Sequence, residues 1–181
     1  PVSVVAGLTA LARRGVLVKG GAYLEALGRL RVLAVDKTGT ITEGKPRVLD
    51  VLTFSNSAPE EILRIAAAID THSTHPLAQA VVRHAADFGI TIEPAADYQA
   101  RTGKGAEATI DGHDYFVGNH RFAHELGVCS DKLETLLAEI EAQAKSVVIV
   151  GHRPHAGCTG EVSGILTIGD TIRANAVEAL R

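Results

Sequence analysis

The sequence predicts a fold of the α/β class, because segments with helical periodicity alternate with short β-rich runs. The run Arg31–Val35 is β-rich and ends at a glycine-containing turn, which is where open α/β sheets place their chemistry. Apolar residues recur at helical spacing from Ile62 to Ile69. Asp111-Gly112, between two short β-rich runs, predicts a tight antiparallel hairpin. We therefore expect a sheet with chemistry at a strand end and, beside it, a region of antiparallel strands.

The first part of the chain is apolar and is expected to be helical. Pro1–Ala12 carries no charged side chain and is followed at once by Arg13-Arg14. It is shorter than the roughly 18 apolar residues that a membrane helix needs. An apolar run that ends in two arginines is nevertheless typical of a membrane helix leaving on the cytoplasmic side. A buried amphipathic helix explains the same residues, and a second short helix is expected over Ala22–Leu27.

The middle of the chain is expected to form one strand and two helices. Arg47–Phe54 indicates the strand. Ser57 and Glu60 have the spacing of a capping box, which predicts where the first helix starts. The second helix is expected to begin at Pro76, because proline is favoured in the first turn, and to end near Gly89.

The last third is expected to add strands around one more helix. Ser130 is a candidate N-cap residue, and leucine and isoleucine follow it at helical spacing, at Leu133, Leu136, Leu137 and Ile140. The other expected elements are the hairpin strands Ala106–Ile110 and Tyr115–Val117, the closing strands Ser146–Val150 and Val162–Ile168, the loop Gly151–Gly160 between them, and a final helix over Ala174–Arg181.

Composition excludes some classes of partner. The formal net charge is -3 and no run of lysine and arginine concentrates positive charge, so nucleic acid is not an expected partner. The two cysteines, Cys129 and Cys158, do not make a disulfide framework, which favours a reducing compartment. Cys129 is expected to be a small buried or half-buried residue.

The segment Asp36-Lys37-Thr38-Gly39-Thr40 carries the most specific chemistry of the sequence. An aspartate can attack a γ-phosphate when Mg²⁺ neutralises the approaching charges. Backbone N–H groups of the glycine turn and a threonine hydroxyl can hold the phosphoryl oxygens. An Asx-type turn that only closes a strand explains the same residues.

The segment VDKTGTITEGKP resembles the phosphorylation motif of P-type ATPases, and the resemblance to the heavy-metal members extends over essentially the whole chain. It implies that ATP phosphorylates Asp36, with Lys37 and Thr38 beside it in the catalytic site. It also implies that Mg²⁺ is held partly by Asp36 and the carbonyl of Thr38. The implied fold is a partial haloacid-dehalogenase-like, Rossmann-like phosphorylation domain with an inserted α+β nucleotide-binding domain.

Position 38 distinguishes a pump from a phosphatase within that superfamily. Phosphatases typically carry a second aspartate two residues after the nucleophile, as general acid and base, and here the residue is Thr38. Without that base an aspartyl phosphate should survive longer, which suits a pump. A soluble phosphatase of the same superfamily is the first alternative. For the isolated chain, a non-catalytic ATP-binding module is the second.

Further motifs resemble the nucleotide pocket of heavy-metal P-type ATPases. The segment HPL matches a motif whose histidine orients ATP, and an aspartate stands five residues earlier, where the family usually has glutamate. The segment GKG resembles the family's glycine pair, and GN resembles the pair beside the adenosine. Without the resemblance, an ordinary N-cap, a turn and a strand end explain these motifs. The residues expected to bind ATP in these motifs are Asp70, His75, Gly103, Gly105, Gly118 and Asn119.

The segment near the end of the chain resembles the return into the phosphorylation domain. There, Asp170 and Arg173 would stand near the interdomain hinge and the nucleotide; a helix N-cap with a surface arginine is the alternative.

The resemblance also implies a division of the chain into four regions. Residues 1–30 would be the end of a membrane helix and a linker, 31–47 and 164–181 the two parts of the phosphorylation domain, and 48–163 the nucleotide-binding domain. A metal-binding CPC motif would lie before Pro1, and the segments completing the Mg²⁺ site beyond Arg181. The partners would be ATP and, through the membrane part, a heavy-metal cation of the zinc, cadmium or lead type. The expected location is the cell membrane, with this portion on the cytoplasmic side.

The eight histidines raise the question of a structural or regulatory metal. His152, His155 and Cys158 have ligand spacing, but a Zn²⁺ site usually has four ligands, or three and water. A flexible surface loop is the preferred interpretation of that segment. His120 and His124, one helical turn apart, are expected to face solvent.

Overall fold

The computed structural model describes residues 2–54, 57–143, 145–155 and 157–180. The chain divides into two compact units, Pro1–Asp36 and Lys37–Arg181. The first unit holds two short helices, and the second holds the sheet and all the other helices of the described residues.

The first unit consists of helix α1, Val2–Ala12, and helix α2, Gly21–Leu27. They approach closely, because a Cβ at Gly21 would lie 2.8 Å from Cγ1 of Val4. No residue of α1 is buried, so its interpretation as a buried amphipathic helix is wrong. None of the helices in the described ranges has the length and apolar character needed to cross a membrane.

The predicted strand Arg31–Val35 is absent: these residues form no described strand and all are exposed, Val32 by 84%. A strand is stable only when neighbours pair with its N–H and C=O groups. In the described part of the chain, no strand pairs with this segment. The β-rich composition was therefore not sufficient to form a strand here.

The second unit is built on a six-stranded antiparallel sheet, so the predicted α/β class is confirmed. The strand order across the sheet is β1-β6-β5-β4-β3-β2. The strands are β1 Thr42–Thr53, β2 Ala96–Arg101, β3 Gly105–Ile110, β4 His113–Gly118, β5 Ser146–His152 and β6 Glu161–Ile172. Five of them overlap a predicted strand, with Phe54 of the predicted Arg47–Phe54 falling just outside β1, and β2 was missed.

Helices cover both faces of this sheet. Successive strand residues point to opposite faces, and both faces carry apolar side chains that the helices bury. On one face, Val117, Val150 and Leu166 belong to a core with α3 and α4. On the other face, Phe116 and Ile149 pack with α5 and α6. The helices are α3 Pro59–Asp70, α4 Pro76–Asp87, α5 His120–Glu125, α6 Asp131–Ala142 and α7 Ala176–Ala179.

The start of α3 differs from the capping-box prediction. Ala58 is the N-cap residue and makes no side-chain cap hydrogen bond. Pro59 explains the difference, since a residue before proline is kept in the extended region, where Ala58 lies at φ -69° and ψ 149°. The helix therefore starts at Pro59 itself, one residue later than Ser57 as N-cap would require.

Three other local predictions are confirmed. Helix α4 begins at Pro76, and α6 is capped by Ser130, whose hydroxyl accepts a hydrogen bond from the N–H of Leu133 at 3.3 Å. The hairpin between β3 and β4 turns at Asp111 and Gly112, both with positive φ, as a two-residue turn of this type requires.

The end of the chain is less helical than predicted. Helix α7 covers only Ala176–Ala179, with Asn175 as its N-cap residue, and so forms only the middle of the predicted helix. Arg181, the predicted last residue of that helix, lies outside the described residues.

Candidate nucleotide site

A cavity of about 470 Å³ lies beside the start of α4 and is lined by residues of α3 and of strands β2 to β5. Its lining includes apolar side chains from Leu77, Val117 and Val148 and the aromatic ring of Tyr98. It also includes six of the residues predicted from the sequence to bind ATP: Asp70, His75, Gly103, Gly105, Gly118 and Asn119. The fold thus brings together segments as far apart in the sequence as Asp70 and Val148.

His75 is held at the N-terminus of α4 by local hydrogen bonds. Its Nδ1 accepts a hydrogen bond from the N–H of Leu77 at 3.3 Å, so the ring is the N-cap of the helix. Its own N–H donates to the hydroxyl of Ser73 at 3.2 Å. Because Nδ1 is an acceptor, a neutral ring carries its proton on Nε2. The N-cap alternative is therefore correct, and it coexists with a place in the cavity wall.

Gly105 and Gly118 lie opposite each other in the register of β3 and β4. A Cβ at Gly105 would lie 2.0 Å from the carbonyl oxygen of Val117, and φ at Gly105 is +151°. A Cβ at Gly118 would lie 2.7 Å from the carbonyl oxygen of Lys104. The two glycines are thus required by a close backbone approach within the cavity wall.

Asn119 connects residues 103–105, here called the glycine loop, to the start of α5. Its side-chain NH₂ donates to the carbonyl oxygen of Gly103 at 2.9 Å, and its Oδ1 accepts from the N–H of Phe122 at 3.1 Å. Its backbone N–H donates to the carbonyl oxygen of Lys104 at 2.8 Å. One residue therefore caps the helix and fixes the loop.

Asp70 is the buried acidic group of this cavity. It is the last residue of α3 and is only 6% exposed. Burial raises the pKa of its carboxyl to about 7 because it disfavours the charged form. The pKa of Tyr98 is also raised, first by burial and then by the charge of Asp70. A carboxyl with a pKa near 7 can donate as well as accept a hydrogen bond at neutral pH.

Two cationic side chains stand in the wall of the cavity. Arg101 is paired with Glu107 at 2.8 Å, and Lys104 is paired with Glu125 at 2.6 Å. Sequence reasoning missed Arg101 and Tyr98 because it missed strand β2. The sequence does contain a signal for this strand. Residues 102–104 form a three-residue connection with a glycine between two extended segments, and such a connection is typical of a hairpin.

Asp170 and Arg173 are not among the residues that line this cavity. Asp170 lies within β6, so its interpretation as a helix N-cap is wrong. Its carboxylate accepts hydrogen bonds from the hydroxyl of Thr42 and from the N–H groups of Gly44 and Lys45, the latter two at 3.1 Å. The hydrogen bond from Thr42, followed by those from the backbone, lowers the pKa of Asp170.

The segment Lys37–Ile41 forms a single turn with Gly39 at φ 79°. The guanidinium of Arg173 donates to the carbonyl oxygen of Gly39 at 3.0 Å, and the N–H of Gly39 donates to the hydroxyl oxygen of Thr42 at 3.2 Å. Asp36, which precedes this turn, is exposed and is the last residue of the first unit. Thr38 has extended backbone angles within the turn, φ -77° and ψ 120°.

The loop with His152, His155 and Cys158 does not assemble a metal-ligand group among the described residues. His155 and Cys158 instead exchange two backbone hydrogen bonds, at 3.0 and 2.9 Å, and close a tight turn. The Sγ of Cys158 accepts from the N–H of Gly160 at 3.4 Å. These backbone contacts hold the part of the loop that the structure describes.

The known proteins that this chain is similar to include transporting ATPases of the P type. The chain is 39% identical, over 99% of its length, to a zinc/cadmium/lead-transporting P-type ATPase of Shigella sonnei (strain Ss046), of which it covers 23%. It is also 39% identical to a zinc-transporting PIB-type ATPase whose crystal structure is in the E2.Pi state. That match has a TM-score of 0.81 and covers 97% of this chain and 27% of the other. The chain thus spans about a quarter of the length of these relatives.

A further similar structure matches a smaller share of the chain. The crystal structure of the N-domain of HMA8, a copper-transporting P-type ATPase, is 25% identical, with a TM-score of 0.55. That match covers 68% of this chain and 99% of the HMA8 domain. In addition, the haloacid dehalogenase-like hydrolase family matches residues 30–181. This match covers most of the chain, and the chain therefore belongs to the haloacid dehalogenase-like hydrolase family.

Proposed function

We propose that this chain is the ATP-binding and aspartyl-phosphorylation portion of a P-type ATPase that exports a heavy-metal cation of the zinc, cadmium or lead type. The observation that carries the proposal is the convergence of Asp70, His75, the glycine loop and Asn119 on one cavity. The 39% identity to a zinc/cadmium/lead-transporting ATPase supports the type of pump. In this proposal the chain acts on the cytoplasmic side of the cell membrane, and the cation crosses through a membrane part outside this chain.

The cavity has the properties that an ATP site needs. Its volume of about 470 Å³ is within the usual range of roughly 300–1,000 Å³ for ligand pockets. Its apolar and aromatic residues offer a surface for the base, and Asp70 offers a carboxyl that can exchange hydrogen bonds with the edge of the base. The phosphates would lie towards the N-terminus of α4, where backbone N–H groups and the helix dipole favour negative charge. Lys104 and Arg101 add positive charge.

Asp36 is the proposed phosphoryl acceptor. A carboxylate oxygen of Asp36 attacks the γ-phosphorus, the bond from that phosphorus to the bridging oxygen breaks, and ADP leaves with the electron pair. The product is an acyl phosphate that water later hydrolyses. Lys37 and Thr38 would stabilise the charge on the transferred group.

Mg²⁺ fits the oxygen donors of this segment. The carboxylate of Asp36 and the carbonyl oxygen of Thr38 are the type of ligand that Mg²⁺ prefers. The ion would supply neutralisation of phosphate charge. The turn Lys37–Ile41 would hold the Thr38 carbonyl, since Arg173 donates to the carbonyl oxygen of Gly39 and the N–H of Gly39 donates to the hydroxyl oxygen of Thr42.

A soluble phosphatase is the less favoured function. Thr38 stands where such phosphatases carry their second aspartate, and the 39% identity is to transporting ATPases. Burst-free, rapid hydrolysis of a small phosphate ester by this chain would favour the phosphatase instead.

Nucleotide binding is tested by titrating ATP into the isotope-labelled chain and following backbone amide resonances. We expect shifts at His75, Gly103 and Gly118, with Asp50 in β1, outside the cavity lining, as the internal control. Shifts confined to other residues, or none at all, would remove the site from consideration.

Phosphorylation is tested on the full-length protein with radiolabelled ATP and the transported metal. We expect a hydroxylamine-labile adduct that Asp36→Asn abolishes and Asp50→Asn retains. An adduct that survives Asp36→Asn would refute the proposed acceptor.

A further inference from the structure

Four side chains with metal-binding atoms meet between α5 and α6. They are His120, His124, Cys129 and Glu134, which together are called the His120 cluster. One potential ligand atom from each residue lies within 4.8 Å of all the others. In the described part of the chain this is the one such group, and none of its members lines the nucleotide cavity.

Glu134 stands at the centre of the cluster. Its Oε1 accepts a hydrogen bond from the thiol of Cys129 at 3.1 Å and contacts Nε2 of His124. Its Oε2 lies 3.0 Å from Nε2 of His120. The carboxylate therefore faces a thiol and two imidazole rings, a set of groups that can also surround a cation.

His120 supplies an unusual buried atom. Its Nε2 is buried and has no hydrogen-bond partner among the described residues, although it lies 3.0 Å from Oε2 of Glu134, with which it forms an ion pair only when the ring is protonated. Buried polar atoms without a partner are rare in folded proteins, and an unoccupied ligand position is one explanation. This nitrogen points into the group of donors that Glu134 joins.

The backbone around the His120 cluster is held independently of the four side chains. His120 and His124 are four residues apart in α5, which places both rings on one helix face, as in helical zinc sites. Their rings lie 4.8 Å apart. Gly127, at φ 71°, turns the chain towards α6, and Ser130 caps that helix. Asn119 caps α5.

We propose that the His120 cluster is a binding site for a zinc-class divalent transition-metal ion, separate from the Mg²⁺ used with ATP. Two imidazoles, a thiolate and a carboxylate are the ligands that zinc takes in tetrahedral sites, whereas Mg²⁺ takes oxygen ligands. On binding, the thiol of Cys129 releases its proton to solvent and the sulfur, Glu134 and one nitrogen of each ring bond to the ion.

Only small movements separate the observed cluster from a tetrahedral site. Zinc–ligand bonds of about 2.0–2.3 Å place tetrahedral ligand atoms about 3.3–3.8 Å apart. The longest observed separations, of up to 4.8 Å, must therefore shrink by about 1 Å, whereas the 3.1 Å contact between Cys129 and Glu134 must lengthen slightly. The side chains of His124 and Glu134 are 58% and 38% exposed, so rotation of these two can achieve this.

Cobalt(II) is the probe that tests the site, because a tetrahedral Co²⁺ ion bound to a thiolate absorbs strongly in both the near-ultraviolet and the visible. The reduced, chelator-treated chain is titrated with Co²⁺ in excess Mg²⁺ and without nucleotide. We expect one Co²⁺ per chain, a thiolate charge-transfer band, intense visible bands, and displacement by Zn²⁺. Since no ATP is present, the result is independent of the proposed ATP site.

Variants assign the ligands. Cys129→Ser is expected to remove the charge-transfer band, whereas Cys158→Ser, which changes the other cysteine, retains it. His124→Ala and Glu134→Gln should each weaken Co²⁺ binding by at least about tenfold. Circular dichroism checks folding. If Cys129→Ser does not fold, the Co²⁺ affinities of His124→Ala and Glu134→Gln test the site instead. A weak octahedral spectrum, or a charge-transfer band that follows Cys158, would overturn the proposal.

Discussion

The side-chain NH₂ of Asn119 donates a hydrogen bond to the carbonyl oxygen of Gly103, 2.9 Å away and 16 residues earlier in the chain. The same side chain caps α5 through its Oδ1, so helix and loop share one anchor. The loop in question forms part of the cavity wall. The shape of the proposed ATP site therefore depends on a residue that also has a structural task.

These two tasks of Asn119 can be separated by substitution. Asn119→Ala removes the cap and the loop contact, and should lower the free energy of unfolding by about 1–2 kcal/mol and weaken ATP binding. Asn119→Ser keeps a cap but is too short to reach Gly103, so it should retain most of the stability and still weaken ATP binding. Denaturant unfolding and calorimetric ATP titration measure the two effects. Equal ATP affinity in the serine variant and the wild type would show that the loop contact is unimportant for binding.

Substitution by alanine should destabilise the chain to very different extents at the two cavity-wall glycines Gly105 and Gly103. Gly105→Ala places a Cβ 2.0 Å from the carbonyl oxygen of Val117, so β3 and β4 must separate, and we expect a loss of roughly 3 kcal/mol or more. At Gly103 a Cβ meets nothing within 4 Å, and only its φ of +71° is unfavourable. Gly103→Ala should therefore cost about 1 kcal/mol. Thermal unfolding of the two variants checks the difference, and similar losses would contradict the register of Gly105 with Gly118.

Much of the fold could be predicted because the decisive signals are local. Pro76 at a first helical position, Ser130 as N-cap and Asp111-Gly112 in a two-residue turn each act within a few residues. Strand β2 and the segment Arg31–Val35 show the opposite case. The first is a strand because β3 pairs with it, and the second is not a strand because no described strand pairs with it. Pairing over long distances is not visible in a segment's own composition.

The candidate sites were predictable to different degrees. The cavity residues lie in motifs, so their types and order could be recognised before the structure placed them together. For the His120 cluster, the spacing of His120 and His124 was visible. Their association with Cys129 and Glu134 was not, because it depends on the turn at Gly127 and on how α6 packs. The predicted exposure to solvent fits His124, whose side chain is 58% exposed, better than His120, whose side chain is 33% exposed and whose Nε2 is buried.

Asp170 should control the local order of the start of β1. Its carboxylate accepts hydrogen bonds from Gly44 and Lys45, where the register of β1 with β6 is irregular. Asp170→Ala should accelerate hydrogen exchange at both amides, with Asp50→Ala, elsewhere in β1, as the matched control. Because these contacts lower the pKa of Asp170, their stabilising effect is present at neutral pH and is lost as pH falls through that lowered pKa. Unchanged exchange in Asp170→Ala would contradict this role.

Asp70 should make the stability of the second unit depend on pH in the opposite direction. Its pKa is about 7 in the folded chain against an ordinary value of 3.8, so between these values the folded state binds more protons than the unfolded state. The contribution of Asp70 to stability is therefore full below about pH 4 and declines as pH rises to about 7. The decline is at most about 4 kcal/mol, given 1.36 kcal/mol for each pKa unit.

Asp70→Asn keeps the size of the side chain and removes this titration. Relative to the wild type, the variant should gain stability at pH 8 and change little at pH 4, because only the charged form of Asp70 is penalised by burial. Urea unfolding at pH 4, 6 and 8 measures the difference in stability from the wild type. The control is Asp87→Asn at the end of α4, which keeps Asp70 and should therefore keep the pH dependence of the wild type. A wild-type stability that rises from pH 5 to pH 8, with a parallel rise in Asp70→Asn, would mean that the Asp70 carboxyl is ionised and solvated in the folded chain.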